Sequence, residues 1–475
     1  MKRFITFDPD QPLLLPVDMR TALPAGHAAL LLADIAEQFD LSEVHAGLED
    51  EALGGRPGFD PRMMVRVWLY AYLVGIRSSR KLALALIENI AFRMLANNQT
   101  PQYWALNRFR SRHRGALGNL LLQTVSLASE LGLVKLGVVA IDGTKIRANA
   151  SKHKALSYGR MIEREAALRA EVEAFLRQSE EVDAEEDRAL GPDDDGSSLP
   201  PELQDVQARR RKIADAKREL ERRARAKVAS DQTKRRERAH DQGKAYAPRQ
   251  DAEEAVPGAA DQINLTDPES RIMTSGGAFV QAFNAQAAVD AETHIVLAAL
   301  VTNQAADAPH FEPITKQVIA NAGAAPELLL ADAGYHSEAN LAYADAFEID
   351  ALIPAGKVKH SQWRQRQAPR GRIPNAITPK ELMQRRLATQ RGKRAYALRQ
   401  GSVEPVFGST KQHRGLRQFL HRGVEKNHHL FRFDMAAHNL MKIIKHHQRL
   451  TLPQGAPQHP TKRLARVTNA AHAVI

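Results

Sequence analysis

The stretch Gly137-Val-Val-Ala-Ile-Asp142-Gly-Thr-Lys145 decides the fold predicted for this chain. Four apolar residues, three of them β-branched, run into an aspartate and then a glycine, which is typical of a buried strand closed by a turn. A carboxylate at the carboxyl end of such a strand lies at the rim of a sheet, where ligands commonly bind. On this stretch alone an ordinary Asp-Gly turn is the simpler interpretation. The later parts of the chain favour the rim carboxylate because they repeat the pattern.

The pattern recurs in Leu328-Leu-Leu-Ala-Asp332-Ala-Gly-Tyr-His336, where an apolar strand again ends in an aspartate. Strand-like and helix-like segments alternate around this second stretch, beginning with a hairpin-sized pair of strands. This mixed order predicts an α/β domain, a mixed sheet flanked by helices, over residues 136–151 and 263–450. The charged segment 152–262 would interrupt it.

Residues 1–135 have the apolar periodicity of helices. Asp60 and Pro61 predict a helix start, because aspartate caps the first free N–H groups and proline fits the first helical position. Several short helices with a tight turn between them resemble a helix-turn-helix module, which predicts an N-terminal DNA-binding domain. The basic run 107–114 fits either a DNA contact or a solvated face. One helix is expected over 111–131.

The segment 152–262 differs in composition from both of its flanks. Residues 161–200 hold 13 acids and four bases, whereas residues 201–250 hold 16 bases and eight acids. Each half also has the apolar spacing of an amphipathic helix. We therefore predict an antiparallel helical hairpin, acidic arm against basic arm, joined by a flexible stretch from Gly191 to Pro201.

Composition limits the class of protein. The chain has 475 residues, 43% of them hydrophobic, which is ordinary for a globular protein of two or three domains. No apolar run approaches the roughly 20 residues that span a bilayer, and the N-terminus meets acid and proline too early for a secretory signal. The absence of cysteine excludes disulfides and thiolate zinc sites and is compatible with a reducing cytoplasm.

Positive charge is concentrated in the C-terminal part of the chain. The net charge is +12, yet residues 351–475 alone hold 25 lysines and arginines against four acids. So one-sided a field is the electrostatic signature of a polyanion partner, and nucleic acid is the main candidate. Residues 451–475, with more proline and basic residues, are expected to form a flexible basic tail.

Three acidic residues occupy informative positions. Asp142 and Asp332 each follow a strand, and Glu404 is one of the few acids in the basic region. A local ion pair with Arg399 would account for Glu404, but three converging carboxylates would make a hard oxygen site suited to Mg²⁺ or Mn²⁺. Two such ions about 4 Å apart clamp the attacking and leaving oxygens of a phosphoryl displacement. Without metal the three charges would raise one another's pKa.

Three stretches resemble the motifs of bacterial insertion-sequence transposases of the DDE type, which have a ribonuclease-H-like catalytic core. Ile141 to Ser151 is similar to the strand of the first aspartate, and Ala331 to His336 is similar to that of the second. The stretches from Leu23 to Ser42 and from Gly55 to Pro61 are similar to the N-terminal helical domain of these transposases. The residues that match the third motif, the Tyr-Arg-Glu-Lys signature, are Tyr396, Arg399, Glu404 and Lys411.

The resemblance implies a DNA transposase that cuts the ends of its element and joins them to target DNA. Its partners would be the terminal inverted repeats and the target duplex, bound by a homodimer in the synaptic complex, in the cytoplasm at the nucleoid. Asp142, Asp332 and Glu404 would be catalytic and would bind two Mg²⁺ or Mn²⁺ ions. Arg399 and Lys411 would hold backbone phosphate, a role that their charge supports independently.

Four further residues have roles that the pattern leaves open. Tyr396 would stack on a base or pack its helix, and His336 would approach the scissile phosphate or be buried with a hydrogen bond. Asn149 and Asp307 lie near the motifs and could orient ligands. One more residue separates Arg399 from the glutamate than in some branches of the family.

Other functional classes fit less well. Ile141-Asp-Gly-Thr144 is similar to the phosphatase motif Asp-x-Asp-Gly-Thr, but Ala140 stands where the nucleophile belongs. None of the three Gly-Lys pairs is followed by Ser or Thr, so there is no P-loop. Two alternatives remain open: a catalytically silent DNA-binding protein derived from a transposase, and a metal-dependent nuclease without joining activity.

Overall fold

The computed structural model describes residues 18–46, 58–171, 173–174, 201–248, 250–356, 367, 371–374 and 376–451. The flexible joint expected from Gly191 to Pro201, except for Pro201 itself, and nearly all of the basic tail expected over 451–475 lie outside these residues.

The N-terminal part of the described chain is helical. Asp60 caps the third helix as predicted, its carboxylate accepting a hydrogen bond from the Met63 N–H at 2.8 Å. The single helix expected over 111–131 is wrong, because His113 has non-helical backbone angles and packs its buried ring on Phe109, dividing the segment in two. The helices are α1 (Ala28–Ala36), α2 (Ser42–Ala46), α3 (Pro61–Leu73), α4 (Ser79–Glu88), α5 (Ile90–Leu95), α6 (Tyr103–Arg112) and α7 (Arg114–Glu130).

A six-stranded mixed sheet follows these helices. Its order is β8-β7-β1-β5. On the other edge of β5, β4 pairs with the first part of β5 and β6 pairs with the second part. β7 and β8 run parallel to β1, whereas β5 is antiparallel to it, so the predicted α/β class is confirmed. The strands are β1 (Val138–Arg147), β4 (Arg271–Ser275), β5 (Ala278–Asp290), β6 (Val296–Thr302), β7 (Leu328–Leu330) and β8 (Asp350–Leu352).

The segment between β1 and β4 forms a small layer of its own. β2 (Ala155–Ser157) pairs with β3 (Gln262–Asn264) at its base, and α8 (158–171) lies against α9 (Pro201–Asp241). The Tyr158 hydroxyl donates to Glu221 at 2.8 Å and the Lys217 ammonium donates to Glu165 at 2.9 Å. From the first of these contacts to the second, the residue number rises in α8 and falls in α9, so the two helices are antiparallel. Opposite charges meet between them.

The C-terminal helices connect the helical part to the sheet. Phe433 packs edge-on against Tyr72 at 4.8 Å, and the Asn439 amide bonds both the N–H and the carbonyl of Val296. One buried apolar cluster therefore extends from α1 to the sheet. No helix in the described part of the chain is long and apolar enough to cross a membrane. The helices are α10 (Phe311–Ala322), α11 (Glu338–Ala346), α12 (Pro379–Ala388), α13 (Gln390–Gly408) and α14 (Val424–Thr451).

Candidate active site

The register of β1 against β7 brings two of the predicted acids together. The last paired residues are Ala140 and Leu330, and Asp142 and Asp332 each lie two residues further on. Asp332 caps a short 3-10 turn by accepting a hydrogen bond from the Gly334 N–H at 2.8 Å. The charge of Asp332 contributes to raising the pKa of Asp142. The two carboxylates are therefore electrostatic neighbours at one edge of the sheet.

Asp142 does not end its strand, contrary to the prediction. The 13-residue strand β5 pairs with β1 as far as Arg147, so β1 continues five residues past Asp142, and only its pairing with the three-residue β7 stops short. The alternative of an ordinary Asp-Gly turn is also wrong. A Cβ atom at Gly143 would lie 2.4 Å from the Gln286 amide nitrogen and 2.8 Å from Asp307, so glycine here allows close packing within a strand.

Two basic residues flank Asp142. Arg399, on α13, donates from Nη1 to the Asp142 Oδ2 at 2.9 Å, and its guanidinium lies 5.8 Å from the centre of the Tyr396 ring. The Lys411 ammonium donates to the Thr144 hydroxyl at 2.5 Å and to the Lys145 carbonyl at 3.2 Å. Burial lowers the pKa of Lys411, and the charge of Asp142 opposes that effect.

Glu404 is not brought to the aspartates. Its side chain is exposed, whereas its neighbour Val403 is completely buried. Val403 is four residues after Arg399 and shares its face of α13, so the longer spacing turns Glu404 away from that face. Over the described ranges, no group of three or more His, Asp or Glu residues is arranged to hold a metal ion.

His336 and Asn149 lie outside the Asp142 contacts. The His336 ring is half-buried, and its Nε2 has no hydrogen-bond partner in the described part of the chain. Burial lowers the pKa of His336, and the charge of Lys380 adds to that effect. The Asn149 amide donates to the Leu420 carbonyl at 2.8 Å, which ties the segment after β1 to the loop before α14.

A buried network of side-chain amides surrounds Asp307, and it was not predicted from the sequence. Asn284 and Gln286 point to the same face of β5 and donate to the Asp307 Oδ1 at 2.7 and 2.8 Å. Lys145 donates to the same oxygen at 3.1 Å. A Cβ atom at position 334, which any residue other than glycine would have, would lie 3.1 Å from the other oxygen of Asp307. Asp307 therefore lies between the two motif glycines, beside both catalytic candidates.

The sequence contained a signal for this network. Asn284 and Gln286 are alternating amides in the middle of a largely apolar strand, and fully buried amides need hydrogen-bond partners. Tyr335, also fully buried, bonds the Gln286 side chain. Burial raises the pKa of Tyr335, and the charges of Asp142, Asp307 and Asp332 add to the effect.

Two family models match the chain. That of the transposase DDE domain matches residues 238–440, and that of the transposase domain DUF772 matches residues 17–112, so together they cover more than half of the chain. The chain belongs to the insertion-sequence DDE transposases. Comparisons with curated proteins and with solved structures each gave no match.

The DDE match establishes the ribonuclease-H-like fold expected for this transposase. It includes Asp332, Arg399, Glu404 and Lys411 but begins after β1, which carries Asp142. The insertion between β1 and β4 separates Asp142 from the rest of the domain along the chain. The place of Asp142 beside Asp332 therefore comes from the sheet register and not from the family match.

DDE transposases generally use divalent metal ions, and the donor set at the rim of this sheet suits one. Asp142 and Asp332 supply hard carboxylate oxygens from neighbouring strands, which is the chemistry that Mg²⁺ and Mn²⁺ prefer. The positive charge that now offsets Asp142 comes from Arg399. Two carboxylates therefore fit a divalent cation in this transposase, and Glu404 is not placed to be a third ligand.

Asp142→Asn is expected to raise the free energy of unfolding by about 1–3 kcal/mol at neutral or higher pH. Burial raises the pKa of Asp142 from 3.8 to about 6, the charge of Arg399 opposes this rise, and Asp332 adds to it. Ionisation therefore costs the folded state more than the unfolded state. The gain should be absent below the unfolded pKa and should grow as pH rises toward the folded pKa.

Urea titrations in metal-free buffer at about pH 4 and about pH 8 measure this difference. Asp350→Asn is the matched control, because its ion pair with Arg386 is exposed and its loss should change stability by less than about 1 kcal/mol. An Asp142→Asn variant that is no more stable than the wild type at the higher pH would contradict the prediction.

Proposed function

We propose that this transposase cleaves DNA strands at the ends of its element and joins the freed ends to target DNA, with Asp142, Asp332 and Glu404 as catalytic carboxylates. The observation that carries the proposal is the adjacency of Asp142 and Asp332 on neighbouring strands. Burial and the second charge raise the pKa of Asp142, which costs the fold stability. Strongly perturbed carboxylates of this kind cluster at functional sites.

The basic residues around Asp142 support a phosphodiester substrate. Lys411 and Arg399 converge on the strand that carries Asp142, where they would bind backbone phosphates. Tyr396 and His336 are proposed as further DNA contacts at the same edge. Two divalent cations, held by the carboxylates, would stabilise the attacking and leaving oxygens of the phosphate.

The helical phase of α13 indicates how Glu404 could join the aspartates. Successive residues of an α-helix are rotated by about 100° around its axis. If Glu404 followed Arg399 by four helical positions instead of five, Glu404 would lie on the same face of α13 as Arg399. A π-turn accommodates one extra residue, and such a turn, Ser409–His413, follows Glu404 in the chain. In the proposed active state the π-turn lies between Arg399 and Glu404, so that the extra residue is accommodated before Glu404.

Glu404→Gln is expected to lower strand cleavage by about 10²-fold or more while leaving thermal stability within about 0.5 kcal/mol, because the side chain is exposed. Glu292→Gln, an exposed glutamate in the turn after β5, is the matched control and should cleave normally. Cleavage by Glu404→Gln at the wild-type rate would exclude Glu404 from the catalytic set.

The proposed partners are the terminal inverted repeats and target DNA, both double-stranded, bound by a homodimer at the nucleoid in the cytoplasm. The proposed division of labour assigns DNA binding to 1–135, catalysis to 136–151 and 263–450, and leaves 152–262 as a charged helical insertion and 451–475 as a tail. The excess of basic residues over 351–475 supports a polyanion partner.

A labelled DNA end tests the function. Incubation with the element end and Mg²⁺ or Mn²⁺ should give strand cleavage, and addition of target DNA should give joined products; chelation should abolish both. Cleaved but unjoined products would identify a nuclease instead. Binding without cleavage in either metal would overturn the catalytic proposal.

One observation favours a second candidate, a catalytically silent DNA-binding protein. Arg399 forms an ion pair with Asp142, the side chain of Glu404 is exposed, and the described residues contain no group of three or more acids or histidines arranged to hold a metal ion. This arrangement binds DNA through its basic residues without forming a three-carboxylate site. The same cleavage assay separates the two candidates, since the silent protein would bind the element end and release no product.

A further inference from the structure

The second half of α9 extends beyond its packing partner. In the first half, Ile213 and Leu220 are buried against α8 and the pair of strands β2 and β3. The first residue of α8, Tyr158, contacts Glu221, so α8 does not accompany α9 any further. Residues 222–241 continue as a helix for about 30 Å, and none of their side chains, all of them described, is buried. A helix with no buried side gains little from packing, so other interactions must stabilise it.

The arginines of α9 that lie near α8 are compensated by acids. Arg218 donates to the Asp215 carboxylate at 2.5 Å, and Arg222 donates to the Glu219 carboxylate at 2.7 Å. Arg223 donates to the same glutamate at 2.8 Å. Each of these arginines therefore has an acid one turn before it on α9.

The cations further along α9 are not compensated in this way. Residues 222–241 hold eight lysines and arginines and three acids. Lys227, Lys234 and Arg238 are exposed, and none of them forms an ion pair within the described part of the chain. Asp231 lies between the two lysines in sequence and pairs with neither. Lys234 and Arg238 are four residues apart, a spacing at which like charges destabilise a helix, so the arrangement indicates an anionic partner.

The three unpaired cations share one open side of the helix. Lys227, Lys234 and Arg238 are separated by seven and then four residues, which places them in one row along α9. The Gln232 amide donates to the Gln250 carbonyl at 2.6 Å, so the returning chain contacts a different side. At about 100° per residue, each of the three cations is more than about 100° away from Gln232 around the helix axis. The row of cations therefore faces away from the rest of the chain.

α9 passes the sheet near the strand of Asp142 before it projects. The Arg223 guanidinium donates to the Pro268 carbonyl at 2.6 Å, three residues before β4 begins. The first residue of β4 and the last residue of β1 pair with the same residue of β5, Ala282. These two strand ends are therefore about 10 Å apart across β5. The projecting half of α9 begins close to the end of the strand that carries Asp142.

We propose that Lys227, Lys234 and Arg238 of α9 bind the phosphate backbone of double-stranded DNA outside the active site. The row extends over about 16 Å along a straight helix, which suits the regularly spaced phosphates of a duplex. Phosphate contacts carry no sequence information, so this surface should bind element ends and target DNA alike. The inference rests on DNA as the proposed partner of the transposase, but not on the carboxylates.

The test measures the salt dependence of binding to a fluorescent duplex of about 30 base pairs that contains the terminal inverted repeat, in EDTA so that no cleavage occurs. Lys234→Gln combined with Arg238→Gln should weaken binding by about tenfold at about 100 mM salt and should lower the slope of log affinity against log salt by about two. An unrelated duplex of the same length should show the same changes. Because the substitutions remove like charges one turn apart, the thermal midpoint should not fall.

Arg218→Gln combined with Arg222→Gln is the matched control, because these two arginines are exposed, have the same spacing on α9 and are already ion-paired. This variant should bind DNA as the wild type does. Lys234→Arg combined with Arg238→Lys keeps both charges and should keep the wild-type slope.

Two results would overturn this inference alone: an unchanged slope when Lys234 and Arg238 are both replaced by glutamine, or an equal loss of affinity in the control variant. A wild-type protein that binds neither duplex would overturn the proposed function as well. Because cleavage is not measured, an inactive carboxylate site leaves the outcome unaffected.

Discussion

Replacing Asp142 by asparagine is expected to lower strand cleavage by about 10³-fold or more, with DNA binding retained. The Asp142 Oδ1 accepts a hydrogen bond from the Gly143 N–H at 2.8 Å, and Oδ2 faces Arg399. Asparagine has the same size and keeps the β1 backbone in place, but it loses the charge that a divalent cation requires. The substitution therefore removes chemistry without removing the fold.

Three variants make this prediction specific. Asp332→Asn should lose cleavage as Asp142→Asn does, because the two carboxylates are neighbours across β1 and β7. Asp350→Asn should cleave normally, because Asp350 pairs with Leu328 and therefore lies at the opposite end of β7 from Asp332. Cleavage of the labelled element end and binding in EDTA are measured on the same preparations. Wild-type cleavage by Asp142→Asn would remove Asp142 from the catalytic set.

The same substitution links catalysis to stability. Asp142→Asn should be inactive and, at neutral pH, more stable than the wild type, since burial holds the pKa of Asp142 at about 6. An active site that needs adjacent buried charges costs free energy of folding, and neutralising one of them recovers it. A merely structural aspartate would give the reverse, with stability and activity falling together.

The parts of the fold that the sequence predicted are those with local causes. An aspartate before a proline predicted the start of α3, and apolar runs ending in aspartate predicted β1 and β7. The resemblance implied that Asp142 and Asp332 lie together, and the structure shows the physical reason: β1 and β7 are parallel, so their carboxyl ends lie at the same edge of the sheet. The predicted end of β1 was wrong because a strand extends as far as its longest pairing partner. That partner, β5, is far away in the sequence, so no local pattern reveals it.

The position of Glu404 could not be predicted from its motif. One additional residue after Arg399 changes the helical phase by about 100°, and whether a π-turn absorbs that residue before or after Glu404 depends on tertiary packing. The Asp307 network was missed for a related reason. Its donors, Asn284 and Gln286, are on a strand that meets Asp307 only in the folded sheet.

A buried ion cluster joins the N-terminal helices to the helix that completes the core. Asp434 on α14 is bound by the Arg77 guanidinium and lies 3.1 Å from the Arg414 guanidinium. The three side chains are 1%, 8% and 2% exposed, respectively. Arg77 also donates to the Arg414 carbonyl, and Arg414 donates to Thr410 in the π-turn that carries Lys411. The cluster therefore connects the turn before α4 with a residue of the candidate active site.

Asp434→Asn is expected to lower the free energy of unfolding by about 3–5 kcal/mol, because it leaves two buried guanidinium groups without a compensating charge. Glu425→Gln is the matched control on the same helix: its partner is also an arginine, Arg114, but Glu425 is 71% exposed, so the loss should stay below about 1 kcal/mol. Urea denaturation of both variants measures the difference. Equal, small losses would mean that the buried pair contributes no more than a surface pair. If the large loss is observed, reduced cleavage by Asp434→Asn should recover at low temperature, where the folded state is repopulated, whereas the loss in Asp142→Asn should not.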